Sequence, residues 1–143
     1  MWKSEFSAET AAAPEAVWQV LAGVEGWPTW NPGYTAAHLD GPLQSGAQGS
    51  IKLPRGPSRP FTVYEVDPQR SLTYGGDVPG GRQRFLNRTE PLGPSRTRIT
   101  LGHTIEGWTW PLFGVLFGRI IRGYLPTALK QLVAMAEATP TVV

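Results

Sequence analysis

The sequence predicts an α+β fold: a curved antiparallel sheet of about seven strands wrapped around one long C-terminal helix, with two short helices after the first strand. Three observations carry this. From Trp110 to about Ala138, residues Leu112, Leu116, Phe117, Ile120, Ile121, Tyr124, Leu125, Ala128, Leu132 and Met135 recur at three- and four-residue steps, the spacing of a helix with a broad buried face. Before it, the chain breaks into short β-like runs divided by Gly and Pro. A helix with so much apolar surface needs a concave partner, and a curved sheet supplies one.

Taken in order, Trp2 to Thr10 alternates Trp2, Ser4, Phe6 and Ala8 against Lys3, Glu5, Ser7 and Glu9, which makes a first strand with one wet face. Pro14 then opens a short helix through Leu21 that gathers Val17, Val20 and Leu21 on one side. Gly23 to Gly33 holds Trp27, Pro28, Trp30 and Pro32, too broken for more than one or two helical turns and a bend. Four short strands follow: Tyr34 to Leu39, Gly49 to Leu53, Phe61 to Val66 and Ser71 to Gly75. Beyond the turn Asp77 to Gly81, the longer runs Arg82 to Leu92 and Arg96 to Glu106 form a hairpin leading to the last helix. In that helix, Gly114 and Gly118 weaken the structure by roughly 1 kcal/mol each relative to alanine and so serve a close approach, to the sheet or to a ligand. Pro126 removes one backbone donor and is expected to bend the helix around Arg122 to Leu125.

With 143 residues and 41% hydrophobic content, the chain makes one domain over 1–138 with a real core, and Thr139 to Val143 is expected to be a disordered tail. The net charge of +2 comes from scattered basic residues, which argues against a nucleic-acid partner. Without cysteine, disulfides, thiolate metal sites and cysteine nucleophiles are excluded and a reducing cytoplasm is permitted. The start has no signal-peptide core, so a cytoplasmic location is expected. Arg119, Arg122 and three glycines within Trp108 to Leu125 argue against a membrane span and stable insertion. Two histidines without cysteine leave no metal site, and no Gly-x-Ser-x-Gly, Walker or dinucleotide glycine pattern occurs; no cofactor is implied.

Five stretches, in order, carry a family likeness: Ala13-Pro14-Glu15-Ala16-Val17-Trp18; Trp27-Pro28-Thr29-Trp30-Asn31-Pro32; Glu65-Val66-Asp67-Pro68; Glu90 through Thr100; and Ala128-Leu129-Lys130-Gln131-Leu132. Across nearly the whole chain they resemble the polyketide cyclase/dehydrase branch of the START-like (SRPBCC) superfamily. The resemblance implies a helix-grip architecture with an apolar cavity between sheet and helix. It leaves function open, because members include ring cyclases, lipid and hormone carriers and proteins of unassigned role.

On the last strand, Ile99, Leu101 and Ile105 facing inward would bring His103 to the same face, as a cavity-lining hydrogen-bonding group, a proton carrier if its pKa stays near ~6.5, or a satisfied core histidine. The resemblance implies an acidic residue there in many relatives, and His103 departs from it. On the partner strand, Phe85 and Asn87 share a parity opposite to Arg84, Arg88 and Glu90, so Asn87 is available to a ligand carbonyl or hydroxyl, or to a buried water. Trp27, Trp30 and Tyr34 fall where the family's second helix rims the cavity, and offer flat surfaces to a ring-shaped or isoprenoid ligand or pack in the core. Trp108, Trp110 and Phe113 form an opposite lip or an exposed apolar patch. Tyr74, Leu101, Phe117 and Ile121 complete the expected lining.

The leading expectation is a monomeric or homodimeric protein that binds or transports a small hydrophobic molecule, such as an aromatic polyketide, lipid or isoprenoid-like compound, in an internal cavity. One alternative is an aromatase/cyclase-like enzyme with His103 as acid or base and with Asn87 and Tyr34 orienting a carbonyl substrate. Another is an interaction module whose tryptophan-rich lip docks a protein or membrane.

Overall fold

The computed structural model describes residues 1–138, and the tail Thr139 to Val143 lies outside the described residues. Strand β1 (Trp2–Thr10) is followed by helix α1 (Pro14–Ala22) and a 3-10 turn (Val24–Thr29), then by β2 (Ala36–Asp40), β3 (Gln48–Lys52), β4 (Arg59–Asp67), β5 (Ser71–Val78), β6 (Gly81–Gly93) and β7 (Arg96–Gly107). The C-terminal helix comprises α2 (Trp110–Phe113), a π turn (Gly114–Gly118) and α3 (Arg119–Ala138). The seven strands form one antiparallel sheet in the order β1-β7-β6-β5-β4-β3-β2. β1 to β7 is the long-range pairing: it stitches the first strand of the chain to the last.

Period-two alternation explains which face is wet. On β1, Ser4 and Thr10 are buried while Lys3, Glu5, Ser7 and Glu9 are exposed. On the convex face these carboxylates meet arginines of the neighbouring strands, Arg88 with Glu5, and Arg96 and Arg98 with Glu9. Such exposed pairs add little stability, at most about 1 kcal/mol each.

Proline at the first turn starts α1, whose Ala16, Val17, Val20 and Leu21 are buried. The Trp27 indole N–H donates to the Leu21 carbonyl at 2.9 Å and ties the 3-10 turn to this helix. Along α3, Ile121, Leu125, Ala128, Leu129, Leu132 and Ala136 make the buried stripe, and each large member contributes about 1.5–3 kcal/mol by leaving water.

Two features of the C-terminal helix depart from expectation. The broad apolar face is really two stripes. Leu112, Leu116 and Ile120 point to solvent, while Gly114 and Gly118 are the buried positions of the first turns. The reason is Trp2: a Cβ on Gly114 would come within 3.1 Å of it, and one on Gly118 would run into its indole ring. The glycines thus approach the sheet, and they turn that side of the helix inward. The helix also carries an irregularity its residue spacing does not announce, a π turn in which the Arg119 N–H donates to the Gly114 carbonyl. Across Pro126, α3 runs unbroken.

Candidate functional site

The register of the sheet lines up one rung of inward side chains. Val63 on β4 faces Tyr74 on β5, which faces Phe85 on β6, then His103 on β7, then Ser4 on β1. Since neighbouring strands lie ~4.8 Å apart, rings on one rung touch. Tyr74 and Phe85 stack at 5.2 Å between centroids, Phe85 and His103 lie at 4.7 Å, and Trp27 closes on Tyr74 from the 3-10 turn at 4.5 Å. Phe61 meets Tyr74 edge-on at 5.5 Å. An open chamber was the expectation for this region. Instead the rings expected to line it pack against each other, because the register sets them side by side.

Trp27, Trp30 and Tyr34 are core residues of this packing, each with at most 3% of its surface exposed, rather than a rim. The Tyr34 and Tyr74 hydroxyls share a hydrogen bond of 2.7 Å. Burial raises the pKa of both phenols well above the ordinary range, and the nearby Tyr124 phenol adds to the effect on each. Tyr124 is itself raised by burial, and its ring lies where a Cβ on Gly33 would be, 2.5 Å from Cζ. Asn87 and Leu101 occupy the adjoining rung, and the Asn87 amide donates to the Leu72 carbonyl at 3.0 Å. Ile121 is buried in α3, whereas Phe113 and Phe117 are half-buried and stack on one another at 5.3 Å.

The far end of the rung has a different character. His103 is fully buried, and its Nε2 faces the Gln83 side-chain oxygen at 3.2 Å. That oxygen only accepts, so Nε2 donates and the lone pair is left on Nδ1. Among the described residues Nδ1 has no partner, and neither has the Ser4 hydroxyl directly across on β1. The Trp2 indole N–H, one rung along opposite Ile105, is likewise unpaired. A buried polar group left unmet costs about 1–3 kcal/mol. Three of them sit together on β1 and β7, on the side where the π turn of the helix crosses Trp2. Burial lowers the His103 pKa from the usual 6.5 to about 4, so the imidazole is neutral at pH 7. The set offers an acceptor at Nδ1, a donor on the indole and a hydroxyl that can do either.

Alternation alone puts Ser4 and His103 on inward faces, but only the register makes them opposite each other. Ser4, Trp2 and Gln83 were invisible as a group for that reason. A surface groove lined by Pro14, Glu15, Pro68, Gln69, Arg70 and Pro94 lies elsewhere, between α1 and the β4–β5 and β6–β7 turns. None of the expected site residues lines it.

Residues 1–137 match the family model described as polyketide cyclase / dehydrase and lipid transport. The chain belongs to this family. Its seven-stranded sheet around a long C-terminal helix is the family's helix-grip fold. Similar solved structures include the Zhui aromatase/cyclase from a Streptomyces species, at 19% identity and a TM-score of 0.74 over 94% of this chain and 93% of that one. A START superfamily protein from Mycobacterium smegmatis aligns at 18% identity and a TM-score of 0.73, over 96% of this chain and 99% of its own. Norcoclaurine synthase from Thalictrum flavum, in complex with dopamine and hydroxybenzaldehyde, aligns at 15% identity and 0.73, over 98% of this chain and 88% of that one. At these identities the likeness is one of fold. No curated protein sequence matches the chain.

Proposed function

We propose that this member of the polyketide cyclase/dehydrase family binds a small hydrophobic molecule that carries a hydroxyl or carbonyl group, between the concave face of the sheet and the first turns of the C-terminal helix. The observation that carries the reading is the trio of unpaired buried polar groups, Ser4, His103 Nδ1 and Trp2, among aromatic side chains. A largely apolar site with a few placed polar groups is what a small-molecule pocket requires. A hydroxyl would donate to Nδ1 and accept from Ser4 or Trp2, and Phe85, Phe113 and Phe117 would flank its apolar body. For the ligand to enter, Trp110 to Gly118 must shift; it is the half of the helix with only glycines and half-buried rings against the sheet. The ion-paired arginines of the convex face support a small-molecule partner over nucleic acid, and the cysteine-free sequence is compatible with the cytoplasm.

The experiment is native mass spectrometry of the purified protein after incubation with extracted lipids and aromatic metabolites. A retained compound is expected, and Ser4→Ala and His103→Leu should each lower its occupancy by roughly tenfold, the scale of one lost buried hydrogen bond. No retention by the wild type, or retention by both variants equal to that of the wild type, would sink the reading.

The aromatase/cyclase reading uses the same histidine as a proton carrier. With a pKa of about 4, His103 is protonated in roughly one molecule in a thousand at pH 7, poor tuning for an acid or a base working there. Its proposed helpers are engaged as well, Tyr34 with Tyr74 and Asn87 with Leu72. Binding is therefore the reading this geometry favours.

A further inference from the structure

Around the start of the C-terminal helix the protein exposes more large apolar surface than its packing needs. Trp108 is 84% exposed, Ile120 66%, Leu112 57%, and Val115 and Leu116 about half. In a helix, Leu112, Leu116 and Ile120 are four residues apart and form one stripe, with Val115 beside it and the two tryptophans at its head. The stripe is the face opposite the buried Gly114 and Gly118, so no element among the described residues covers it.

Charge says what does. From Gly107 to Ala136 the chain has no carboxylate and three basic residues, Arg119, Arg122 and Lys130. Arg119 and Arg122 are exposed on the turns beside Ile120. Arg59, from the start of β4, lies over the Phe117 ring at 5.9 Å and adds a third guanidinium at the same end. The carboxylates of the adjoining hairpin are already engaged, Asp77 with Arg82 and Glu106 with Arg84. A second copy of the chain docked by this face about a two-fold axis would set arginines against arginines, and a nucleic acid would have no use for leucine and isoleucine. An anionic bilayer meets both demands, since acyl chains accept the stripe, tryptophans favour the headgroup level and arginines reach the phosphates.

We propose that Trp108 to Arg122 is a membrane-docking surface that seats the protein peripherally on anionic lipid, with Leu112, Leu116 and Ile120 inserted and Arg59, Arg119 and Arg122 at the headgroups. The proposal rests on surface residues and does not depend on what the interior binds.

The test is flotation with vesicles of equal parts phosphatidylglycerol and phosphatidylcholine, and with vesicles of phosphatidylcholine alone. The protein is expected to float with the first, far less with the second, and to be released by raised salt. Leu116→Asp together with Ile120→Asp, both solvent-facing and so compatible with folding, should lower binding at least tenfold while the circular dichroism melt is unchanged. Arg119→Gln should lower it by roughly fivefold on the anionic vesicles only. The proposal is overturned if the wild type floats with neither vesicle, or if the double aspartate variant floats as well as the wild type. It is also overturned if sedimentation finds a dimer that the double variant splits, which would give the face to a second copy.

Discussion

At the scale of single residues, His103 sets a measurable dependence of stability on pH. Its folded pKa of about 4 lies below the 6.5 of an unfolded histidine, because burial opposes the charged form. Between those values the unfolded chain binds the extra proton, so stability is fully present above pH 6.5 and falls as pH drops toward 4. The loss over that window is on the order of 3 kcal/mol, and His103 has no exposed surface through which solvent would soften it. Urea unfolding of the wild type and of His103→Leu at pH 7 and pH 4.5 measures the difference. The variant should lose less than the wild type by most of that amount. Glu9, held low by Arg96 on the exposed face, acts equally in both proteins and cancels. Parallel losses in the two proteins would mean that His103 is not the group titrating.

Among the elements, the C-terminal helix offers a paired test of why its glycines are there. At Gly118 a methyl group collides with Trp2, whereas at Gly123 it meets nothing within 4 Å. Alanine at 123 should stabilise the protein by up to about 1 kcal/mol through helix propensity. Alanine at 118 has the same propensity gain but faces a rigid ring, and overpacking of 1–3 kcal/mol or more should win, giving a net loss. Thermal unfolding of the two variants beside the wild type decides it; equal shifts in the same direction would remove Trp2 as the reason. The same helix marks how far the sequence could be read. The number and order of the strands, α1 and the inward parity of Phe85, Asn87, Leu101 and His103 were legible because alternation and turn residues report local geometry, whereas β5 runs on to Val78 through residues expected to turn. The outward turn of Leu112, Leu116 and Ile120 was not, since periodicity cannot tell which of two adjacent apolar stripes meets the sheet. Nor could it foresee the ring contacts of Tyr74, Phe85 and His103, which depend on cross-strand register. Helix α3 continues through Pro126 because one missing N–H is tolerated where the proline is exposed and the rest of the helix is anchored by Leu125, Ala128 and Leu129.

For the molecule as a whole, the sheet is complete only when β1 pairs with β7 across almost the full length of the chain. Of its four tyrosines, Tyr34 and Tyr74 belong to the core, Tyr124 packs against it, and all three resist losing their protons. This gives the protein an optical signature in alkali. Phenolate absorbs at longer wavelength than phenol, and free phenols ionise gradually around pH 10. Here the three buried rings should stay dark as pH rises past 10, because their folded pKa values exceed the unfolded ones and alkali must first unfold the chain to reach them. Most of the absorbance should then appear in one steep step that coincides with loss of the circular dichroism signal, and a smooth rise ahead of that loss would mean the rings are open to solvent. The hydroxyl pair between Tyr34 and Tyr74, a packing detail in the folded protein, becomes in strong base a dye that switches on only when the grip lets go.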